Sequence, residues 1–292
     1  MEPHASTLQN YLRTLLVLGR ASNLPTVWSN CLAGWLLGDG GPLSGLFLLW
    51  LAATCLYTGG IFLNDAFDVE FDRQHRPERP IPSGAISRSE VWGFGVGWLM
   101  LGMVLLAFFG TITGLLAFFL VVSILLYDAV HKAVAFSPLL MALCRFFLFL
   151  TAASASETGV TGLAIWSAFA LAIYIVGLSY VAKSESTRGA LRYWPGFLLA
   201  APLVLAWLVN EGEFKRQSMV LSALLAFWIL RNLRFSYWSA EKNIPRTVSG
   251  LLAGIVLVDL LALAGGGNVW VCLIFILFFA ATLLFQRFIP AT

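Results

Sequence analysis

The chain has 292 residues, of which 59% are hydrophobic and only 11% charged. A soluble domain carries about 25% charged residues, so a freely soluble enzyme and a disordered chain are both excluded; the mean hydropathy of +0.84 agrees. The net charge of +3 is too small to hold a polyanion, which excludes nucleic acid as a partner.

The N-terminal stretch is polar and lacks the charged start, short apolar core and small-residue cleavage site of a signal peptide. The first apolar run is therefore expected to remain in the mature protein. Ten apolar runs follow, at roughly residues 22–37, 43–63, 91–110, 115–130, 138–155, 163–181, 195–209, 219–235, 248–264 and 269–289, against about 20 residues for a full membrane span. The first is short, and Arg20 and Pro25 place its start at the interface. The reading is an all-α polytopic transmembrane bundle of nine to ten helices, one domain over residues 1–292. Cys31, Cys55, Cys144 and Cys272 lie scattered in these runs without metal spacing and read as small buried apolar residues.

The loops set the orientation. With ten spans, fifteen of the eighteen basic residues fall on one side, the exceptions being Lys215, Arg216 and the intramembrane Arg145. The excess of Lys and Arg marks the cytoplasmic face, so both termini are expected there. Gly38–Gly41, Gly110–Gly114 and Gly265–Asn268 are tight turns at the opposite face.

The end of the second run reads Asn64-Asp65-Ala66-Phe67-Asp68-Val69-Glu70-Phe71-Asp72. On a continued helix, Asn64, Asp68 and Asp72 drift about 40° per step, with Asp65 in the same arc and Glu70 pointing away. Like charges at this spacing destabilise a helix and are costly at a membrane boundary. A hard divalent cation such as Mg²⁺, which takes oxygen ligands and shares them with phosphates, removes the conflict. Arg73, His75, Arg76 and Arg79 follow, then the stiff turn Pro80-Ile81-Pro82-Ser83-Gly84. Guanidinium groups grip phosphate oxygens in pairs, so the pattern points to a Mg²⁺–diphosphate site facing the lipid.

Asn64-Asp65-x-x-Asp68-x-x-x-Asp72 with Arg79-Pro80-Ile81-Pro82-Ser83-Gly84 and Ile86-Ser87 resembles the first signature of the UbiA superfamily of intramembrane prenyltransferases. The resemblance implies a UbiA-like bundle with a cytoplasmic cap over a central cavity, integral to a bacterial cytoplasmic membrane. It implies Mg²⁺ as cofactor, a prenyl diphosphate as donor and a hydrophobic or aromatic acceptor. The final run, 269–289, stands as a helix beyond the family's nine.

The family places two aspartates after helix 6. The matching stretch here is Tyr180-Val181-Ala182-Lys183-Ser184-Glu185-Ser186-Thr187-Arg188-Gly189, a Tyr-x-x-Lys variant with one carboxylate. Asn64, Asp65, Asp68, Asp72 and Glu185 are thus the metal candidates. Asp68, Asp72, Lys183 and Glu185 are the catalytic ones. Lys183 and Arg188 are expected to offset part of the diphosphate charge directly, with Tyr180 on the Lys183 face. Tyr127 and Lys132, closing helix 4, resemble family positions that contact diphosphate; Arg73 and Arg79 belong to the same cationic set. Arg20 and Asn23 open helix 1 within reach of donor or acceptor, interface anchoring being the equal alternative. Arg145, two turns into helix 5, needs an anionic partner, with pyrophosphate or Asp128 to serve. Asp259, in the middle of helix 9, is expected to hydrogen-bond within the bundle. The depleted second motif keeps open a bundle that binds or transports an isoprenoid or metabolite precursor without efficient chemistry. An ion-coupled transporter lacks support in repeats or paired broken helices.

Overall fold

The computed structural model describes residues 3–183, 192–239, 241–266 and 268–291, with side chains from residue 9 onward except that of Glu213. Every regular element among them is helical. Seven helices are long and apolar enough to cross a membrane: α3 (Leu43–Phe67), α5 (Arg88–Ala107), α6 (Thr111–Val130), α7 (Ser137–Ser154), α8 (Gly162–Lys183), α11 (Glu213–Tyr237) and α12 (Ile244–Ala262). Three of the expected spans are shorter. They are α2 (Leu24–Leu37), the pair α9 (Trp194–Leu198) and α10 (Ala201–Val209), and α13 (Val269–Phe285). The helix order follows the apolar runs.

Three local differences have physical reasons. The seventh run is two helices, because Pro202 in the first turn of α10 has no N–H to give and its ring clashes with the preceding turn. The polar N-terminal stretch forms the amphipathic α1 (Pro3–Leu18). This helix lies against α3, leaving an apolar groove of about 350 Å³ among Leu12, Leu15, Leu16, Thr58, Phe62, Phe94 and Trp98. The acidic motif is jointed rather than continuous: α3 ends at Phe67 and α4 covers Val69–His75, with Asp68 between them. The Asp68 and Asp72 amides still donate to the Asn64 and Asp68 carbonyls at 3.0 and 2.9 Å, so the one-sided arrangement survives the joint.

Without a hydrophobic drive between helices in lipid, close packing comes from small residues. A Cβ on Gly59 of α3 would stand 2.8 Å from the Gly95 carbonyl of α5, and one on Gly34 of α2 would stand 2.5 Å from the Phe149 carbonyl of α7. These seams bring α2 to the middle of the bundle, against α3, α7, α12 and α13. At one end the α2–α3 turn is tied to the loop after α7: Glu157 and Thr158 amides donate to the Gly40 and Gly38 carbonyls, and the Thr158 hydroxyl donates to Asp39 at 2.5 Å. At the other end the Asn23 amide donates to the Ala291 carbonyl at 2.9 Å. The last described residue thus returns to the end where α2 begins, as an even number of crossings requires.

Candidate active site

The site is built where α3 ends, α6 ends and α2 begins. Between α1 and α2 a 3₁₀ turn covers Ala21–Asn23, and Arg20 before it adopts φ 42°, ψ 49°. That left-handed conformation costs a non-glycine residue about 1–2 kcal/mol. It is held by the Asn23 amide and the Tyr57 hydroxyl, which both donate to the Arg20 carbonyl, and by a side-chain ion pair. Arg20 Nη2 lies 3.1 Å from Asp65 Oδ1.

Each carboxylate of the motif faces a cation. Asp65 takes Arg20 and, at 2.9 Å, Arg79. Arg79 also reaches Asp72 at 3.3 Å. Asp68 takes Lys132 Nζ at 2.7 Å and His131 Nε2 at 3.4 Å. Burial pushes the Asp68 carboxyl up, but His131 and Lys132 outweigh it and hold it below the ordinary aspartate value. Burial and the nearby Arg20 charge pull the Arg79 guanidinium down, against Asp65 and Asp72. At Arg20 burial also pulls down, and Asp65 leads the neighbours that more than compensate. Asn64 Nδ2 donates to Asp128 Oδ1 at 3.1 Å, while Asp128 Oδ2 is buried with no hydrogen-bond partner. Tyr127 stacks on His131 at 4.9 Å, and Lys132 sits 3.8 Å over the Phe71 ring.

Other expected residues stand elsewhere. Arg73 turns away from the motif's inner face to pair with the exposed Glu70 at 3.2 Å. Lys183 at the end of α8 donates to the Val134 and Ala135 carbonyls at 3.0 and 3.4 Å and to Ser137 Oγ at 3.4 Å, joining α8 to the loop that follows Lys132. Tyr180 packs edge-on against Trp194 at 4.8 Å. Glu185 and Arg188 lie outside the described residues. Arg145 does not pair with Asp128. Its Nη1 donates to Asn30 Oδ1 at 2.6 Å and to the Thr26 carbonyl at 3.1 Å, and its Nη2 to Thr26 Oγ1 at 3.0 Å. Asp259 hydrogen-bonds within the bundle, to Ser29 and Asn30. Asn23 keeps a buried Oδ1 without a partner.

Tyr57, Thr26 and Asn30 were not singled out by sequence. The only available signal was Thr26, Ser29 and Asn30 recurring at three- and four-residue spacing in an otherwise apolar helix. Among the described residues no three His, Cys, Asp or Glu side chains are gathered to hold a metal ion; the carboxylates of the joint are instead paired with Arg20, Arg79 and Lys132.

The model of the UbiA prenyltransferase family matches residues 25–193, which takes in α2 to α8 and both motif positions. A digeranylgeranylglyceryl phosphate synthase from Metallosphaera sedula is 31% identical over 136 residues, 46% of this chain and 39% of the relative. Another, from Ignicoccus hospitalis, is 38% identical over 104 residues, 35% and 34% of the two chains. These alignments span about two fifths or less of the curated relatives' length. A UbiA homologue from Archaeoglobus fulgidus, solved with GPP and Mg²⁺, superposes with a TM-score of 0.63 at 17% identity, over 94% of this chain and 98% of that one, and so shares the fold. With its apolar helices this makes the protein an integral membrane protein. The chain belongs to the UbiA prenyltransferase family.

Proposed function

We propose that the protein transfers a prenyl group from a Mg²⁺-bound prenyl diphosphate to a small lipid-like or aromatic acceptor at the membrane surface. The observation that carries this reading is the cluster of Asp65, Asp68 and Asp72 at one helix joint, each neutralised by Arg20, Arg79 or Lys132. That is the inventory a metal–diphosphate needs: hard oxygen donors for the cation, guanidinium and ammonium groups for phosphate oxygens. The buried, unpartnered Asp128 Oδ2 is a further acceptor beside Asn64 in want of a cation or a donor.

Asn64, Asp65, Asp68 and Asp72 would hold the metal, and bound Mg²⁺ would neutralise the leaving diphosphate. Arg20, Arg79 and Lys132, released from the carboxylates, would turn to the phosphate oxygens. Cleavage of the allylic carbon–oxygen bond sends its electron pair to pyrophosphate. These cations stabilise the charge that develops there. The acceptor's nucleophile then bonds to the allylic carbon and releases a proton. The loop basic residues support placing this end of the bundle, and both termini, in the cytoplasm.

The test is pyrophosphate release from geranyl diphosphate by the purified protein with Mg²⁺, in the presence of candidate lipid and aromatic acceptors and as slow hydrolysis without them. Release that disappears in Asp68→Ala supports the reading. Geranyl diphosphate bound with Mg²⁺ yet intact after long incubation would favour a carrier. That second reading is supported by the second motif, which keeps one carboxylate, Glu185, where the family has two aspartates.

A further inference from the structure

Beneath the acidic joint lies a second set of charges that the proposed reaction does not explain. Asp259, in the middle of α12, is fully buried. Its Oδ2 accepts from Ser29 Oγ at 2.5 Å, and both its oxygens accept from Asn30 Nδ2, at 2.8 and 2.7 Å. Asn30 Oδ1 then accepts from Arg145 Nη1 at 2.6 Å. One amide therefore stands between an anion on α12 and a cation on α7. A charged group inside a span is costly unless compensated; here the compensation passes through α2.

The carboxylate does more than balance charge. An asparagine amide presents a donor end and an acceptor end. As a carboxylate, Asp259 has two acceptor oxygens, which draw the NH₂ end of Asn30 and leave its carbonyl facing Arg145. Thr26 supplies two further acceptors through its carbonyl and hydroxyl. Three of the five guanidinium hydrogens are thus used on one side. Among the described residues the Nε–H and one Nη2–H have no hydrogen-bond acceptor, and the side chain is only partly buried. Tyr57 is among its ionisable neighbours, and Arg20 and Asp65 are in turn neighbours of Tyr57.

We propose that Asp259 is a positioning residue. Through the orientation of Asn30 it holds Arg145 beside Tyr57, with an unbonded edge that takes an anionic oxygen of the bound prenyl diphosphate. This rests on the donor reading above. In Asp259→Asn the two facing amides compete, Asn30 turns its NH₂ toward Arg145, and the guanidinium is pushed from its place.

The experiment is a double-mutant cycle on the full-length protein, with Mg²⁺-dependent binding of geranyl diphosphate as one readout. The other readout, in ligand-free protein, is the ¹⁵N resonance of the Arg145 guanidinium, assigned by its loss in Arg145→Gln. Arg145→Gln is expected to weaken binding about tenfold and Asp259→Asn about fivefold, with Asp259→Asn adding nothing in the Arg145→Gln background. The Arg145 resonance is expected to shift in Asp259→Asn and in the milder Ser29→Ala, which keeps the carboxylate if Asp259→Asn does not fold. Equal weakening by Asp259→Asn in both backgrounds would mean a merely structural role and overturn the proposal, as would an unmoved Arg145 resonance. Wild-type protein that binds no geranyl diphosphate overturns the donor reading and with it the ligand assigned to Arg145. The resonance then still decides whether Asp259 positions the arginine.

Discussion

At the α3–α4 joint, Asp65, Asp68 and Asp72 are each paired with cations that come from three other segments. At the end of α8, the corresponding wall offers Lys183, fixed to the carbonyls of the α6–α7 loop. The first wall can exchange partners: a metal can take its carboxylates while a diphosphate takes the freed Arg20, Arg79 and Lys132. The second wall has, in its described part, a cation that can attract phosphate; its carboxylate candidate, Glu185, lies outside the described residues. The difference teaches that, among the described residues, this site is lopsided: cation-paired carboxylates on α3–α4 and a carbonyl-bound cation on α8.

The comparison breaks most visibly at Asp68. Asp68→Ala removes the oxygen donor at the joint and leaves Lys132 and His131 without their partner. Mg²⁺-dependent binding of geranyl diphosphate is expected to fall about 100-fold, equivalent to ~2.7 kcal/mol, with the bundle still extractable in detergent. Unchanged affinity in a binding titration would remove the metal from this wall.

Arg79 tests exchange itself. It bridges Asp65 and Asp72, and Arg79→Gln leaves two buried carboxylates short of a partner, a loss of about 3 kcal/mol in the ligand-free protein. Mg²⁺ alone is then expected to restore thermal stability more in the variant than in the wild type, because the carboxylates are already released. Equal Mg²⁺ stabilisation of the two proteins would show that the cation pairs do not compete with the metal.

Smaller effects belong to the second wall and to the outer face. Lys183→Ala is expected to weaken donor binding about fivefold, ~1 kcal/mol, without changing the Mg²⁺ concentration needed. A shifted Mg²⁺ requirement would place metal on α8 as well. Arg73→Ala breaks only the exposed pair with Glu70, worth less than about 1 kcal/mol, and donor affinity should stay within twofold of wild type. A clear loss would mean that Arg73 swings inward when donor binds.

How far these features were legible depended on how local their cause was. Most of the apolar runs and the outward Glu70 follow from spacing and stand in the structure as read; the acidic motif keeps its one face across a joint at Asp68 that the spacing did not show. The break at Pro202 was equally local, a proline inside a run taken as one span. α1 was missed because its polar composition hid a helical period carried by Leu12, Leu15 and Leu16. The Asp259–Asn30–Arg145 chain was beyond reach, since its members lie 229 and 115 residues apart. A lone Asn in α2 carries no sign of the helices that pack on it. Of the two anions expected to serve Arg145, pyrophosphate or Asp128, Asp128 instead accepts from the Asn64 amide.

The most direct measurement of the lopsided, exchangeable site is a calorimetric titration of the wild-type protein with Mg²⁺ alone, geranyl diphosphate alone, and each in the presence of the other. Paired carboxylates resist metal alone and paired cations resist diphosphate alone. The prediction is therefore weak binding of either by itself, and affinity for each raised at least tenfold by the other, by the same factor in both directions. Tight binding of Mg²⁺ without diphosphate, or of geranyl diphosphate with the metal chelated, would contradict the exchange.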